Sequence, residues 1–410
     1  MATGKVAEKL AIDGGEPLRT EPFGSRWIFG EEEKRHLADV IDNAPHGWRN
    51  HFKVNAFTQA FAKKHGVKHA IPVNTGTGAC HTAVAVINPE PGDEVITTPI
   101  TAMGTVSGIV LQNAIPVFAD WDPDTFNIDP ADIERKITDR TRAIMLVHLF
   151  GNPCDMDAIM DIGRSHGIPV IEDCSQAHLA RYQGKLVGTM GDFGVFSLGG
   201  KTLTTDQGGM LITDNDELAE RASTFSRGGG DGLGDAHRFT DLAAAVGLAQ
   251  FQRWDEAVRV RLRTAAILDE VVPNLPGFQV QKVRPGDVNS YYVYAYKIDE
   301  AEAGVSPVRF AEAVQAEGIP DCHGPYINGV PLYKFPLFTE ERTYGRSRYP
   351  FVDEQGRRRI DYTKVRLPNI ESELPKTGII LFRNSNTEQD AHDIAAAMVK
   401  VSDYYASRRS

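Results

Sequence analysis

The sequence predicts an α/β protein: a large domain on a mostly parallel seven-stranded sheet, then a smaller C-terminal α+β domain. Three observations carry that expectation. Short apolar runs rich in branched residues alternate with helical patterns from Glu94 to Ile212, as strands covered by helices on both faces do. The runs end on small or polar residues (Thr98, Asp120, His148, Asp173, Ser197), where ligands collect in an open α/β sheet. Beyond Pro273 the pattern changes, and 410 residues are enough for two cores. The expected division is an N-terminal arm at 1–30, a large domain at 31–258 and a small domain at 259–410.

Taken in order, the Gly- and Pro-rich start reads as an arm and a turn. Glu31 to Asn43 has amphipathic spacing and reads as a helix ended by Ala44-Pro45; Asn55 to His65 repeats that spacing. His69 to Val73 is a strand that runs into Asn74-Thr75-Gly76-Thr77-Gly78, and Ala79 to Ile87 is helical. Strand, glycine loop and helix N-terminus can hold a phosphate on backbone N–H groups, or can simply be a turn. The loop lacks the lysine of a nucleotide P-loop and does not fit a dinucleotide fingerprint. Strands follow at Val95–Thr98, Pro116–Ala119, Ala143–His148, Ile168–Ile171, Val195–Ser197 and Met210–Ile212, with helices at 102–112, 131–137 and 156–166 between them. Glu217 to Phe225 is helical, Ser226 to His237 is glycine-rich, and Leu242 to Val271 is one long or kinked helical segment whose arginines face solvent or pair locally. Strands at 278–283 and 291–298, a helix at 308–317, an irregular aromatic-rich stretch from Ile319 to Asp361 and a final helix from Glu388 to Tyr404 complete the chain.

The net charge of −11 shows no basic stripe, which argues against a nucleic-acid partner. The four cysteines are widely spaced and form no CxxC pair, so reduced thiols in a cytoplasmic protein are expected rather than a disulfide framework or zinc site. No run approaches a membrane span, and the first residues lack a signal peptide's apolar core.

The chemistry concentrates between Ile168 and Met210. One strand ends on Glu172 and Asp173; a second ends on Ser197, two glycines and Lys201. An acid and a lysine delivered to one end of a sheet suit pyridoxal phosphate, whose aldehyde takes an amine and whose pyridinium nitrogen takes an anion. Lys201 would then move protons at the substrate carbon. Gln176 and His178 reach either the ring oxygen or a local hydrogen-bond network, and His148 ends the neighbouring strand. His148, Cys154, Asp173 and Cys174 match no zinc spacing, so no metal is expected.

The chain resembles the DegT/DnrJ/StrS family of sugar and cyclitol aminotransferases. The matching pieces are Asn74-Thr75-Gly76-Thr77, Pro91 through Ile96, Asp124 through Asp129, His148 with Phe150-Gly151, Glu172 through His178, Gly191-Asp192 through Phe196-Ser197, Lys201, Gly208-Gly209 and Arg238 through Gln250. The resemblance implies the pyridoxal-phosphate transferase fold type I and a homodimer with sites built from both chains. It implies Lys201 as the cofactor's Schiff-base lysine, Asp173 as pyridinium partner, Gln176 near the ring hydroxyl, and Gly76, Thr77 and Ser197 around the phosphate. The implied reaction carries an amino group from glutamate or glutamine to a keto sugar, nucleotide-linked in the first instance, or to a keto cyclitol. His148, His178, His323, Tyr326 and Lys334 are candidate substrate contacts.

Three departures stand out. Ser197 and Lys201 are four residues apart where the family has five, with Gly199-Gly200 between them. Met103 stands where an aromatic covers the cofactor ring. Ala236 replaces an asparagine that reaches the partner's phosphate. Dehydrating relatives replace the lysine by histidine, so Lys201 favours transamination; dehydration or epimerisation on the same cofactor, or a noncatalytic family-like protein, are the alternative readings.

Overall fold

A computed structural model describes residues 9–43, 52–230 and 232–408; the expected helix stop at Ala44-Pro45 lies outside them. The large sheet contains β1 (His69–Val73), β2 (Glu94–Thr97), β3 (Ile115–Phe118), β4 (Thr141–Val147) and β5 (Val170–Asp173). A two-strand hairpin, β6 (Arg181–Tyr182) and β7 (Lys185–Leu186), precedes its last members, β8 (Phe193–Ser197) and β9 (Gly209–Thr213). The order is β1-β9-β8-β5-β4-β2-β3, and only β9 runs against the others.

Alternation along the strands explains why this sheet is covered on both faces. Val170 points into one apolar cluster and Ile171 into another; Ile144 and Leu146 part from Ala143 and Met145 in the same way, as do Met210 and Ile212 from Leu211. Side chains two apart share a face, so a continuous apolar run requires a cover on each side. The covering helices are α1 (Glu31–Asn43), α2 (Phe52–His65), α3 (Gly76–Ile87), α4 (Met103–Leu111), α5 (Pro130–Lys136), α6 (Met156–His166), α7 (Asp216–Ser226), α8 (Asp241–Gln252) and α9 (Trp254–Asp269). Their starts are chemically marked. The Asp129, Asp155, Asn215 and Thr240 side chains accept first-turn N–H groups of α5, α6, α7 and α8, which satisfies donors that a helix start leaves open. The expected long segment from Leu242 is two helices, broken at Arg253 (φ −104°, ψ 2°).

The second sheet is wholly antiparallel, in the order β10 (Phe278–Val280), β11 (Val293–Ile298), β13 (Thr377–Leu381), β12 (Cys322–His323). Sequence reading missed β13, a central strand of only five residues. The expected domain junction at 258/259 falls inside α9. Tyr294, Tyr296 and Ile298 face a core shared with the C-terminal helix Glu388–Ala406; Val293 and Ala295 face the opposite cluster, which joins the two sheets. That joining cluster absorbs the aromatic-rich stretch. Tyr333, Phe338 and Tyr362 are buried against Phe118, and Phe351 against Phe338 and Tyr362. Their role is packing, each buried aromatic contributing about 1.5–3 kcal/mol; only Tyr344 stands well out in solvent.

The N-terminal arm is tied down rather than loose. Glu317, fully buried, accepts the N–H groups of Ala11 and Leu18 and pairs with Lys400 at 2.8 Å. Arg19 pairs with Asp390 and Asp393, each at 2.7 Å. The arm then continues to Arg26 and Trp27, beside Lys201. No described helix is long and apolar enough to cross a membrane.

Candidate active site

A pocket of about 410 Å³, open mouth included, lies at the C-terminal ends of the parallel strands. It is lined by Gly76 and Thr77 after β1, Thr101, Ala102, Gly104 and Thr105 around the start of α4, Val147 of β4, Asp173, Ser175 and Gln176 at the end of β5, and Ser197 and Lys201 after β8. The sequence-predicted residues Lys201, Asp173, Gln176, Gly76, Thr77 and Ser197, from three separate chain segments, therefore share one cavity.

Asp173 and Glu172 are strand neighbours and face opposite ways. Asp173 is buried; its Oδ2 accepts the Thr105 hydroxyl at 2.8 Å and its Oδ1 the Ser175 N–H at 3.0 Å. These partners are neutral, and among the described residues no cation pairs with this carboxylate. A buried carboxylate without a countercharge is costly, so the site is built to receive a positive group. Burial, and then the Asp173 charge, push the adjacent Cys80 thiol well above its ordinary pKa, leaving it a neutral wall.

Lys201 sits across the pocket with its Nζ 4.3 Å from the centre of the Tyr292 ring. Burial alone would raise the Tyr292 pKa, but Lys201 and Arg26 beside it hold it below the ordinary tyrosine value. The Arg26 guanidinium donates to the Tyr292 hydroxyl at 3.3 Å, and the Trp27 indole N–H donates to the Lys201 carbonyl at 2.9 Å. Arg26, Trp27, Thr105 and Tyr292 were invisible to sequence reading. They are separated from Lys201 by up to 175 residues, and no local spacing marks them.

The short Ser197–Lys201 connection closes through Gly200, which adopts φ +67°, a backbone state that glycine reaches at little cost. His178 supports this loop from below: its Nε2 donates to the Ser197 carbonyl at 3.0 Å and its Nδ1 accepts the Leu203 N–H at 3.3 Å. Burial lowers the His178 pKa to about 3, so it stays neutral. Gly76 is required by close approach: a Cβ there would lie 2.7 Å from the Ser197 Oγ and closer still to its Cβ. We expect Gly76→Ala to weaken cofactor phosphate binding by about 10-fold, equivalent to ~1.4 kcal/mol of overpacking. A fluorescence titration of cofactor-free protein checks it, and an unchanged dissociation constant would contradict a phosphate site at this loop.

Several candidates fall elsewhere. His148 is fully buried; its Nε2 donates to Glu172 at 3.0 Å and its Nδ1 accepts the Cys154 N–H at 3.0 Å. Glu172 also accepts from Gly188, Met190 and Gly191. Burial opposes its charge, yet His148 and these N–H groups hold its pKa below the ordinary value. His148 therefore braces the sheet end, His178 likewise supports a loop, and neither lines the pocket. Met103 does not line the pocket: it begins α4 and packs toward the aromatic cluster, while Ala102 and Gly104 face the cavity. Tyr326 stands behind Gln176, whose amide donates to its hydroxyl at 3.3 Å and accepts the Phe150 N–H at 2.9 Å. Burial raises the Tyr326 pKa to about 12. His323 is held in β12, and Lys334 pairs with Glu371 at 3.6 Å; neither lines the pocket.

The seven-stranded sheet, the smaller antiparallel sheet and a site at the strand ends define a chain of the fold type I pyridoxal-phosphate transferase architecture. Residues 29–361 match the profile of the DegT/DnrJ/EryC1/StrS aminotransferase family, and the chain belongs to that family. It is 33% identical to the L-glutamine:2-deoxy-scyllo-inosose aminotransferase of Streptomyces paromomycinus, over 97% of this chain and 98% of that one. It is 32% identical to the protein of the same name from Streptoalloteichus tenebrarius, over 98% and 99%. Among solved structures it is similar to 3-amino-5-hydroxybenzoic acid synthase, with a TM-score of 0.80 and 26% identity over 94% of this chain and 100% of that one.

Proposed function

We propose that this protein is a pyridoxal-phosphate-dependent aminotransferase that carries an amino group from glutamine, or glutamate, to a keto cyclitol or a related keto sugar. The observation that carries the reading is the buried, cation-free Asp173 carboxylate in one pocket with the Lys201 amine. A protonated ring nitrogen is the countercharge that this carboxylate lacks. The start of α3, with the Thr77 and Ser197 hydroxyls, is a cradle for the phosphate group. When bound, the cofactor supplies an aldehyde for an amine and a ring that accepts electrons from the carbon next to nitrogen.

The chain's own residues do the rest. Asp173 would accept the ring N–H and is itself held by the Thr105 hydroxyl. Lys201 Nζ takes a proton from the donor's carbon and later delivers one to the acceptor's. Arg26 and Lys201 flank Tyr292, so this corner favours a negatively charged donor group. The full-length likeness to two proteins named for a scyllo-inosose acceptor and a glutamine donor supports the cyclitol choice and puts glutamine first as donor.

With L-glutamine, the visible absorbance of the lysine-linked cofactor is expected to fade as a 2-oxo acid accumulates. It should return on adding 2-deoxy-scyllo-inosose. If the absorbance returns only with a nucleotide-linked keto sugar, the acceptor is the sugar; if no amino donor changes the spectrum, transamination is wrong and dehydration or epimerisation stands. The same reading has the chain working as a homodimer. Exposed Ile41, Leu233 and Leu242 support it, and light scattering should give twice 45.0 kDa.

A further inference from the structure

We propose that His81, Asp235 and His237 form a site for a divalent transition-metal ion, zinc being the best match, that pins the glycine-rich segment to α3. The three side chains converge from two elements, His81 from the second turn of α3 and the others from the segment after α7. His81 Nδ1 lies 3.1 Å from His237 Nε2 and 3.8 Å from Asp235 Oδ2; His237 Nε2 lies 3.4 Å from that same oxygen. Zinc–ligand distances of about 2.0–2.1 Å in a tetrahedron place neighbouring donor atoms ~3.3 Å apart. The observed triangle has nearly those edges.

The surroundings suit the ion as well. Both histidine rings are largely buried beside the exposed carboxylate, and an imidazole nitrogen and a carboxylate oxygen are ordinary zinc ligands. Phe225 packs edge-on against His81 at 5.3 Å, which fixes the ring. The Gln112 side-chain amide lies 2.7 Å from His81 Nε2. Without an ion, that amide N–H donates to Nε2 and the Nδ1 proton points at His237. With an ion on Nδ1, the proton moves to Nε2 and the amide turns over to accept it, the outer-shell bond that orients a ligating imidazole. The Asp235 side chain is 56% exposed against 10% for His81 and 14% for His237, so ions can enter and a water can fill the fourth position.

The ion would act on the back of the phosphate cradle. The His237 carbonyl accepts the Asn74 N–H at 3.1 Å, and a Cβ on Gly78 would lie 3.1 Å from the His237 ring. Clamping His237 therefore fixes the loop that begins α3.

The test uses untagged full-length protein, stripped with chelator and dialysed, then titrated with Co²⁺ by absorbance and with Zn²⁺ by competition against a chromophoric chelator. One ion per chain is expected, with the intense visible bands of a four-coordinate Co²⁺ centre. Asp235→Ala and His237→Ala should each weaken binding by at least about 10-fold, the loss that even an orienting partner causes. Circular dichroism confirms that both variants fold, and Asp235, being largely exposed, can be lost without unfolding. Absence of stoichiometric binding in the parent protein, or binding as tight as the parent's in either variant, overturns the site.

Discussion

Lys201→Ala is expected to remove the visible absorbance of the lysine-linked cofactor and to lower turnover by at least about 10³-fold, the combined loss of a covalent anchor and a proton carrier. The substitution should leave the fold alone. Lys201 is half-buried over the Tyr292 ring, and its backbone carbonyl keeps the Trp27 bond, so a thermal melt should barely move. The comparison of interest is Asp173→Asn. That variant removes the countercharge but keeps the amine, so it should retain the absorbance while losing rate. An unchanged spectrum and rate in Lys201→Ala would sink the enzymatic reading altogether.

The second large effect is on stability. Arg261 is 1% exposed and, among the described residues, pairs with no carboxylate. It donates to Asn384 Oδ1 and to the carbonyls of Tyr291 and Tyr292, at 2.9–3.2 Å. Burial pulls its pKa down, and these oxygens are what compensate the charge. Arg261→Met keeps the stem but strands three buried acceptors, each costing about 1–3 kcal/mol. A total loss of about 3–5 kcal/mol is expected, against less than ~0.5 kcal/mol for the exposed Arg259→Met. Thermal melts of the two variants make the comparison, and equal midpoints would contradict it. Because Arg261 fixes the Tyr292 carbonyl, and Asn384 also donates to the Thr202 carbonyl at 2.9 Å, loosened cofactor binding should accompany the loss.

Arg261 also shows where reading the chain in order fails. Four arginines between 253 and 263 are expected to be solvent-facing or locally paired. Arg259 and Arg263 do pair locally with Glu256, each at 2.8 Å, and Arg253 pairs with Glu33. Arg261 looks the same in sequence, yet it lies at the junction of both sheets. The histidines divide for a related reason. His148 and His178 sit near the right strand ends, but spacing cannot tell a ring that opens into a cavity from one that braces the backbone behind it.

What the sequence determined is local and periodic. Apolar runs with a two-residue alternation dictate strands that need cover on both faces, and the small and polar residues that end those runs dictate the edge on which the site is built. That is why Asp173, Ser197, Lys201 and the Gly76–Thr77 loop could be named before any coordinates. Tertiary structure alone decided the contacts that close over distance: Thr105 on Asp173, Tyr292 under Lys201, the arm's Trp27 on the lysine carbonyl, and His81 against His237. Each joins elements whose approach is fixed by how helices and sheets pack, and packing depends on the shapes of whole buried surfaces rather than on the spacing of residues along one of them.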